Sequence, residues 1–306
     1  MVIAARGSSD HAGLYAKYLL GAFNQLQVGM ATPSLFTLYL RPPSLRSALV
    51  IGISQSGQSP DIVSVLAEAH RQGAATLAIT NEPDSPLTEW AGSVIALGIG
   101  TETGVAATKS YTAELVAIAM LSAALAEIPA RWAQLASVPG AIERILSREA
   151  EIRQISDRYR GMERCFVLGR GFNYATTFEL SLKLKELAYV IAEPYSTADF
   201  QHGPIAVVER GLPILCVAPS GMVLEGIRRL LERLRDELQA DQVIISDVED
   251  VLALARTPLR LPMALPEWLS PIASIVPGQL FAYYLACAKG YEPDRPRGLQ
   301  KITKTR

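Results

Sequence analysis

Short runs of apolar residues alternate along this chain with longer stretches in which apolar positions recur at helical spacing. Such an alternation is typical of a doubly wound α/β fold, in which helices flank a parallel sheet. The segment from Ala48 to Ser54 shows no polar alternation, as expected for a strand buried on both faces. We predict strands at residues 2–5, 48–54, 75–80, 93–97, 164–168, 213–218 and 242–246. We predict helices at residues 10–27, 60–71, 112–127, 142–159, 173–191, 224–238 and 272–289.

The order of these elements repeats once. Each half opens with a strand, a turn that contains Gly and Arg, and a long helix, and the two turns lie at residues 6–9 and 169–172. The length of 306 residues is about twice that of a typical domain. We therefore predict two α/β domains, at residues 1–140 and 141–292, followed by a C-terminal tail at residues 293–306.

Composition favours a globular protein without an extended charged surface. Hydrophobic residues make up 49% of the chain, and 29 Lys and Arg residues balance 30 Asp and Glu residues. This balance predicts no nucleic-acid partner and no membrane partner, so a bound anion must be held by local donors. We expect a cytoplasmic protein, because apolar runs stop short of the roughly 18 residues of a membrane span and no signal peptide is present. The three widely spaced cysteines are expected to be buried, reduced thiols.

Hydroxyl groups cluster between a predicted buried strand and the next helix, at residues 53–60. The carboxyl end of a parallel strand opens into the crevice where α/β proteins bind ligands, and the helix start favours an anion. A smaller cluster follows the first strand. We predict a neutral cradle for one phosphate monoester, with the candidate residues Ser8, Ser9, Ser54, Gln55, Ser56 and Ser59. The simpler alternative is that Ser59 only caps the helix and the other side chains are ordinary loop residues.

Nucleotide and metal motifs are missing from the sequence. It has neither GxxxxGK[ST] nor GxGxxG after a strand, so we reject a dinucleotide site. No HxxxH, HExxH or carboxylate cluster suggests a metal. We therefore expect no metal and no other cofactor.

One predicted helix carries a possible acid/base pair. Glu179, Lys183 and Glu186 fall at i, i+4 and i+7 and share one face of the helix at residues 173–191. A carboxylate beside an ammonium is suited to shuttling a proton between adjacent carbons. The alternative is a solvated ladder of ion pairs, which the same spacing often produces.

Two further residues stand out less clearly. His202 lies in a loop with Gly and Pro, where no packing role is evident, whereas His11 and His70 sit on predicted helices as ordinary residues. Lys301 follows a basic, proline-containing stretch, and composition alone predicts a solvated charge there.

Several stretches, in order along nearly the whole chain, match one known family. They are Arg6-Gly-Ser-Ser9, Ile53-Ser-Gln-Ser-Gly-Gln-Ser59, Glu102-Thr-Gly-Val-Ala-Ala-Thr-Lys109, Leu168-Gly-Arg-Gly171, Leu182-Lys-Leu-Lys-Glu186, Glu193-Pro-Tyr195, Gln201-His-Gly-Pro204 and Arg295-Pro-Arg-Gly-Leu-Gln-Lys301. The chain resembles the sugar-isomerase (SIS) family, in particular the isomerase half of glutamine–fructose-6-phosphate amidotransferase and its stand-alone, glucosamine-6-phosphate deaminase-like relatives. This resemblance implies two SIS domains and an enzyme that acts on phosphosugars.

The resemblance also implies a role for each matching position. Glu186 would move a proton between C1 and C2 of the sugar, with Lys183 as its partner. His202 would assist ring opening from a neighbouring subunit, which implies a homodimer. Lys301, in a tail that enters the active site, would form a Schiff base with the open-chain ketose. Val105 would offer its backbone to the sugar, and the residues of the cradle would hold the phosphate.

Two departures from the family pattern shape the expected function. The sequence shows no glutaminase domain with an N-terminal cysteine, and it begins almost on its first strand. We therefore expect deamination with isomerisation, from glucosamine 6-phosphate to fructose 6-phosphate and ammonia or the reverse. The nearest alternative is a fructosamine-phosphate deglycase. An alternative from another class is a non-catalytic phosphosugar sensor, although no DNA-binding segment accompanies the SIS units.

Overall fold

The computed structural model describes residues 1–301 and divides the chain into two compact units. The first unit comprises Met1–Ile128 together with the chain from Gly298, and the second comprises Pro129–Arg297. The junction predicted between residues 140 and 141 falls inside a helix, Val138–Leu146, which packs against the last helix of the second unit. The predicted tail likewise divides at Gly298, where the chain joins the first unit.

The first unit is a parallel five-stranded sheet flanked by helices, with strand order β2-β1-β3-β4-β5. Its strands are β1 (Val2–Ala4), β2 (Gly29–Met30), β3 (Leu49–Ile53), β4 (Ala75–Thr80) and β5 (Ser93–Ala96). Its helices are α1 (Ser8–Asn24), α2 (Ser34–Thr37), α3 (Pro60–Arg71) and α4 (Lys109–Ala126).

The second unit is also a parallel five-stranded sheet flanked by helices, with strand order β10-β9-β8-β6-β7. Its strands are β6 (Arg164–Gly169), β7 (Ile191–Ser196), β8 (Pro213–Val217), β9 (Asp241–Ser246) and β10 (Thr257–Arg260). Its helices are α5 (Pro129–Leu135), α6 (Val138–Leu146), α7 (Glu149–Arg158), α8 (Tyr174–Ala188), α9 (Thr197–Phe200), α10 (Leu224–Asp236), α11 (Glu249–Leu252) and α12 (Ser270–Ala288).

The two units share one topology. Numbered within its own unit, each sheet has the order 2-1-3-4-5, read from one edge or the other. The predicted repeat of one α/β fold is therefore confirmed. In this topology the order reverses between the first and third strands, and ligands bind outside the carboxyl ends of the strands at that point. These positions follow β1 and β3 in the first unit, and β6 and β8 in the second.

Local sequence explains why α3 begins where the predicted phosphate cradle ends. Pro60 occupies its first turn, where a missing N–H costs no hydrogen bond, and Asp61 lies beside it at the positive end of the helix dipole. Arg71 lies in the last turn, where a positive charge is favourable. The apolar face of α3 packs into the core of the first unit with the buried residues of β3. The cradle is thus fixed by a rigid strand before it and a rigid helix after it.

Three edge strands were not predicted from the sequence. β7 and β10 lie at the two edges of the second sheet, and each contains a proline, Pro194 and Pro258. Proline is tolerated in edge strands because an unpaired strand side needs no N–H donor. β2, with two residues, carries too little sequence to show a pattern.

Two predicted helices end differently in the structure. The helix predicted to reach residue 191 stops at Ala188, because Tyr189 adopts a left-handed conformation with φ of 54° and the chain turns into β7. The helix predicted at residues 142–159 is divided into α6 and α7 at Ser147 and Arg148.

Two long helices are apolar enough to resemble membrane spans. By length and composition, Lys109–Ala126 and Glu267–Ala288 could cross a membrane, but 50% and 67% of their most apolar windows are buried within the protein. This is the pattern of core helices.

Cys165 and Cys216 are buried as expected, and burial raises the pKa of each thiol to about 12. Cys287 is exposed, because it lies on the outward face of α12, so that expectation was wrong for this residue.

Candidate active site

The cradle predicted at residues 54–59 is a loop whose own amides orient its hydroxyl groups. Ser54 Oγ accepts a hydrogen bond from Gly57 N at 3.1 Å, and Ser56 Oγ accepts one from Gln58 N at 3.3 Å. A hydroxyl that accepts from the backbone keeps its own proton for another acceptor. Both serines therefore have a donor available for an anion.

Ser59 and Gly57 complete the loop. Ser59 is the N-cap residue of α3, yet its side chain makes no capping hydrogen bond. The alternative in which Ser59 merely caps the helix is therefore not observed. Gly57 has φ of 61°, and a Cβ atom there would lie 2.0 Å from Ser85 Oγ. The turn that shapes the cradle thus requires glycine.

The hydroxyl groups after β1 are arranged differently. Ser8 and Ser9 form the buried start of α1, and Ser9 Oγ donates to Glu114 Oε1 at 2.8 Å. Glu114 lies on α4 and is 1% exposed. The Ser9 proton is therefore directed at a buried carboxylate of the protein, a partner that the sequence pattern did not reveal.

Glu102 organises the loop that contains Val105. Its carboxylate accepts hydrogen bonds from Thr108 N at 2.8 Å, Ser110 N at 3.1 Å and Ser110 Oγ at 2.7 Å. Burial raises the pKa of Glu102, but these donors and the charge of Lys301 together hold it below its ordinary value. Glu102 is a carboxylate at neutral pH, and Val105 lies half-buried in the loop it anchors.

Lys301 is held by this same loop. Its Nζ lies 2.6 Å from Gly104 O and 3.2 Å from Glu102 Oε2, and its side chain is 30% exposed. The solvated charge expected from composition is therefore wrong, because a buried carboxylate and a carbonyl hold the ammonium. Glu102 was quoted in the sequence only as part of a motif, and its role as the anchor was missed.

The acid/base helix of the second unit is buried where a surface ladder would be exposed. Lys183 is 1% exposed and Glu179 0%, while Glu186 is partly accessible. Lys183 Nζ lies 2.5 Å from Glu186 Oε2 and 3.4 Å from Glu179 Oε1. Burial lowers the pKa of Lys183, but the two carboxylates outweigh it and hold the pKa above its ordinary value. The solvated-ladder alternative is wrong, since the cation is enclosed between two anions.

His202 lies in the turn that follows α9, as the Gly and Pro residues around it predicted. Its side chain is exposed, and its backbone N donates to Asp199 O at 3.0 Å. In the described part of the chain, no hydrogen bond or ion pair joins His202 to Lys183 or Glu186. The first unit thus contains the cradle and the Glu102–Lys301 loop, and the second contains the buried pair and His202.

In the second unit, carboxylates of the protein fill the position that corresponds to the cradle. Ser220, after β8, donates from N at 2.7 Å and from Oγ at 2.6 Å to Asp247, which follows β9. Glu267 accepts one from Met222 N at 2.9 Å, and a Cβ on Gly221 would lie 2.3 Å from its carboxyl carbon. Two carboxylates of the protein therefore accept the hydrogen bonds that an anion at this position would accept.

Comparison with known proteins places the chain in a family. The sequence model of the SIS domain matches residues 1–124 and 159–289. This chain therefore belongs to the SIS domain family. The resemblance drawn from the motifs is therefore confirmed.

Relatives within this family carry sugar-phosphate names. Glutamine–fructose-6-phosphate aminotransferase (isomerizing) of Pyrococcus horikoshii is 35% identical over 310 residues, which cover 98% of this chain and 51% of that protein. The chain thus spans about half the length of the curated relatives it matches. It is related to proteins of the phosphosugar isomerase type.

Solved structures agree with this placement. The C-terminal domain of glucosamine-fructose-6-phosphate aminotransferase from Francisella tularensis has a TM-score of 0.88 at 28% identity, over 96% of this chain and 86% of that one. Glucosamine-6-phosphate deaminase of Thermotoga maritima has a TM-score of 0.79 at 20% identity, over 99% and 90% of the two chains. At that identity the second likeness concerns the fold.

Proposed function

We propose that this protein is a phosphosugar isomerase that deaminates an aminosugar phosphate, converting glucosamine 6-phosphate to fructose 6-phosphate and ammonia or the reverse. The observation that carries the proposal is the buried Lys183 ammonium between Glu179 and Glu186. A carboxylate held against a buried cation, and still partly accessible itself, is suited to taking a proton from carbon and returning it. The relatives' names supply the substrate class.

In this proposal the cradle holds the phosphate of the sugar. The protons of Ser54 and Ser56 and the start of α3 are its donors, and Ser59 and Gln55 lie in the same loop. Ser8 lies at the start of α1, after β1, whereas the Ser9 hydroxyl gives its proton to Glu114 and is not one of the donors. Fixing one end of the substrate brings C1 and C2 to a defined place and lowers the entropic part of the barrier.

The chemistry moves two protons within the sugar and consumes one water molecule. In open-chain glucosamine 6-phosphate, Glu186 takes the proton from C2 and returns it to C1. One proton of the C2 amine passes to the C1 oxygen, so the C1 aldehyde becomes an alcohol and the C2 amine becomes an imine. Water adds to this imine, the C–N bond breaks, and fructose 6-phosphate and ammonia leave. Lys183 donates to the Glu186 carboxylate and orients it for the first step.

His202 and Lys301 serve the steps before and after proton transfer. His202 is exposed on its own chain, so it is available to assist ring opening in a second copy of a homodimer. In the synthetic direction, the amine of Lys301 adds to the C2 carbonyl of the open-chain ketose and water leaves, which gives an imine beside the backbone of Val105. Glu102 holds the charge of that imine. Ammonia then adds at C2 and displaces the lysine.

The first test is to incubate the purified protein with glucosamine 6-phosphate and to measure ammonia and fructose 6-phosphate together. Equal amounts of both products are expected. Ammonia without fructose 6-phosphate would contradict the proposal. Turnover of a fructosamine phosphate in place of glucosamine 6-phosphate would favour a deglycase, and binding without turnover of either compound would favour a sensor.

The second test addresses Glu186. Glu186→Gln should abolish turnover and preserve fructose 6-phosphate binding, because the amide cannot accept the carbon proton. Glu163→Gln, an exposed position before β6, is the matched control and should turn over normally. Undiminished turnover in Glu186→Gln would discard the assignment of the base.

A further inference from the structure

An arginine stands at the cradle that the sequence pattern described as neutral. Arg6 follows β1, and its Nε donates to Asp61 Oδ2 at 2.6 Å. Asp61 is 1% exposed, whereas the Arg6 side chain is 54% exposed. The terminal nitrogens of Arg6 make no hydrogen bond to the described part of the chain.

The sheet register places Arg6 level with the cradle. β1 and β3 are parallel neighbours, and Ala4 lies opposite Gly52. Arg6 and Ser54 each lie two residues beyond this pair, past the ends of β1 and β3, so both segments leave the sheet at the same level. This is the point of the first unit where the strand order reverses.

Arg6 compensates the negative charge of the buried Asp61 carboxylate. Asp61 lies in the first turn of α3, at the helix end that the cradle would use for a phosphate. A buried carboxylate at that place stabilises the helix but repels a second anion. Arg6 offsets this charge through Nε, and its planar guanidinium still has donors on the terminal nitrogens.

We propose that Arg6 is a binding residue for the phosphate dianion of the substrate, held in place by Asp61. This inference rests on the proposed function, since it concerns the same cradle. Asp61 fixes one edge of the guanidinium, and the remaining edge donates to phosphate oxygens together with Ser54 and Ser56. The Arg6–Asp61 pair is neutral overall, but it adds charge-assisted N–H donors to the hydroxyl donors of the cradle, which favour a dianionic phosphate monoester over a neutral sugar.

The test compares fructose 6-phosphate and inorganic phosphate as calorimetric probes of four proteins. These are the unaltered protein, Arg6→Gln, the double variant Arg6→Gln/Asp61→Asn, and the control Arg71→Gln. The control is matched because Arg71 is also exposed and also pairs with a buried acid of α3, Glu68, but at the other end of the helix. The double variant leaves no unpaired buried carboxylate, so it keeps the test valid if Arg6→Gln is unstable.

We expect Arg6→Gln to bind both probes roughly tenfold or more weakly, the usual loss for a charge-assisted hydrogen bond. The double variant should remain as weak, and Arg71→Gln should bind normally. Recovery of affinity in the double variant would mean that Arg6 only cancels the charge of Asp61 and would overturn the inference. Equal weakening in Arg71→Gln would overturn it too, since net charge would then be the cause.

The same experiment separates this inference from the proposed function. If the unaltered protein binds fructose 6-phosphate and the Arg6 variants bind it equally well, only the role of Arg6 is wrong. If the unaltered protein binds neither probe, the cradle is not a phosphate site, and the proposed function fails with it.

Discussion

At the scale of single residues, the cradle depends most on Gly57. Its φ of 61° is strained for any side chain, and Ser85 fills the space where a Cβ would stand. We expect Gly57→Ala to abolish measurable binding of fructose 6-phosphate, because the loop must move for Ser85 and the new methyl group to fit. Calorimetric titration checks the binding, and thermal unfolding checks the fold.

Gly73, which follows α3 as Gly57 precedes it, offers a control for Gly57. It has φ of 77° and meets no atom within 4 Å where a Cβ would be. Gly73→Ala therefore carries the backbone strain, of roughly 1 kcal/mol, without the steric conflict. It should lower the melting temperature slightly and leave binding intact. Normal binding by Gly57→Ala would show that the loop tolerates a different shape.

Lys183 is the residue whose loss should cost the most stability. Lys183→Met leaves Glu179 buried beside an apolar side chain, which is expected to lower the free energy of unfolding by about 3–5 kcal/mol. Lys183→Met/Glu179→Gln removes both charges and should recover most of this loss. Chemical denaturation of the two variants tests the point. An unchanged free energy in Lys183→Met would mean that Glu179 can become neutral without cost.

The same ion pair sets a pH dependence. The pKa of Lys183 is raised in the folded protein, so its contribution is fully present below the unfolded value of about 10.4 and is lost as pH rises through the folded pKa. The stability difference between the unaltered protein and the double variant should therefore stay constant from neutral pH to about pH 10. A difference that disappears near pH 8 would contradict the raised pKa.

At the scale of elements, Glu102 holds the loop before α4 together. Thr108 N and Ser110 N both donate to it. We expect Glu102→Ala to make these two amides exchange with solvent faster, which hydrogen exchange followed by mass spectrometry measures at residues 102–110. Glu82→Ala, at an exposed position after β4, is the control.

Because the pKa of Glu102 is lowered, the protection of these two amides from exchange should persist in the unaltered protein until pH falls below the ordinary glutamate range.

Elements with a strong local signal were predictable from sequence, and those defined by their neighbours were not. α3 and β4 were predicted with the bounds that the structure has, because proline, charge and an unbroken apolar run mark them. β7 and β10 were missed, since an edge strand with a proline shows no alternation. The end of α8 depends on the left-handed Tyr189, a conformation that its residue type does not signal.

In the candidate site, too, residues that are close in sequence were predictable and partners that are distant in sequence were not. The serines of the cradle and the spacing of Lys183 and Glu186 were visible in the sequence, because they are neighbours along one loop or one helix. The partners Glu114 of Ser9 and Asp61 of Arg6 were not, because the fold brings them together from distant positions. Pairs of this kind determine which protons and charges are available to a ligand.

At the scale of the whole molecule, one fold occurs twice with two different uses. In the first unit, the switch point of the sheet is lined by hydroxyl protons and an arginine. In the second, Asp247 and Glu267 occupy the corresponding donors. The second unit instead contains the buried Lys183 and its carboxylates. Repetition of the topology therefore does not imply repetition of the ligand site.

This difference predicts the binding stoichiometry. One fructose 6-phosphate should bind per chain in calorimetric titration, because a phosphate at the second switch point would meet two carboxylates there. Ser54→Ala/Ser56→Ala should remove this binding, whereas Ser220→Ala, at the equivalent position of the second unit, should leave it unchanged. Two molecules per chain, or one remaining in Ser54→Ala/Ser56→Ala, would mean that Asp247 and Glu267 yield to a ligand and that both units retain the same site.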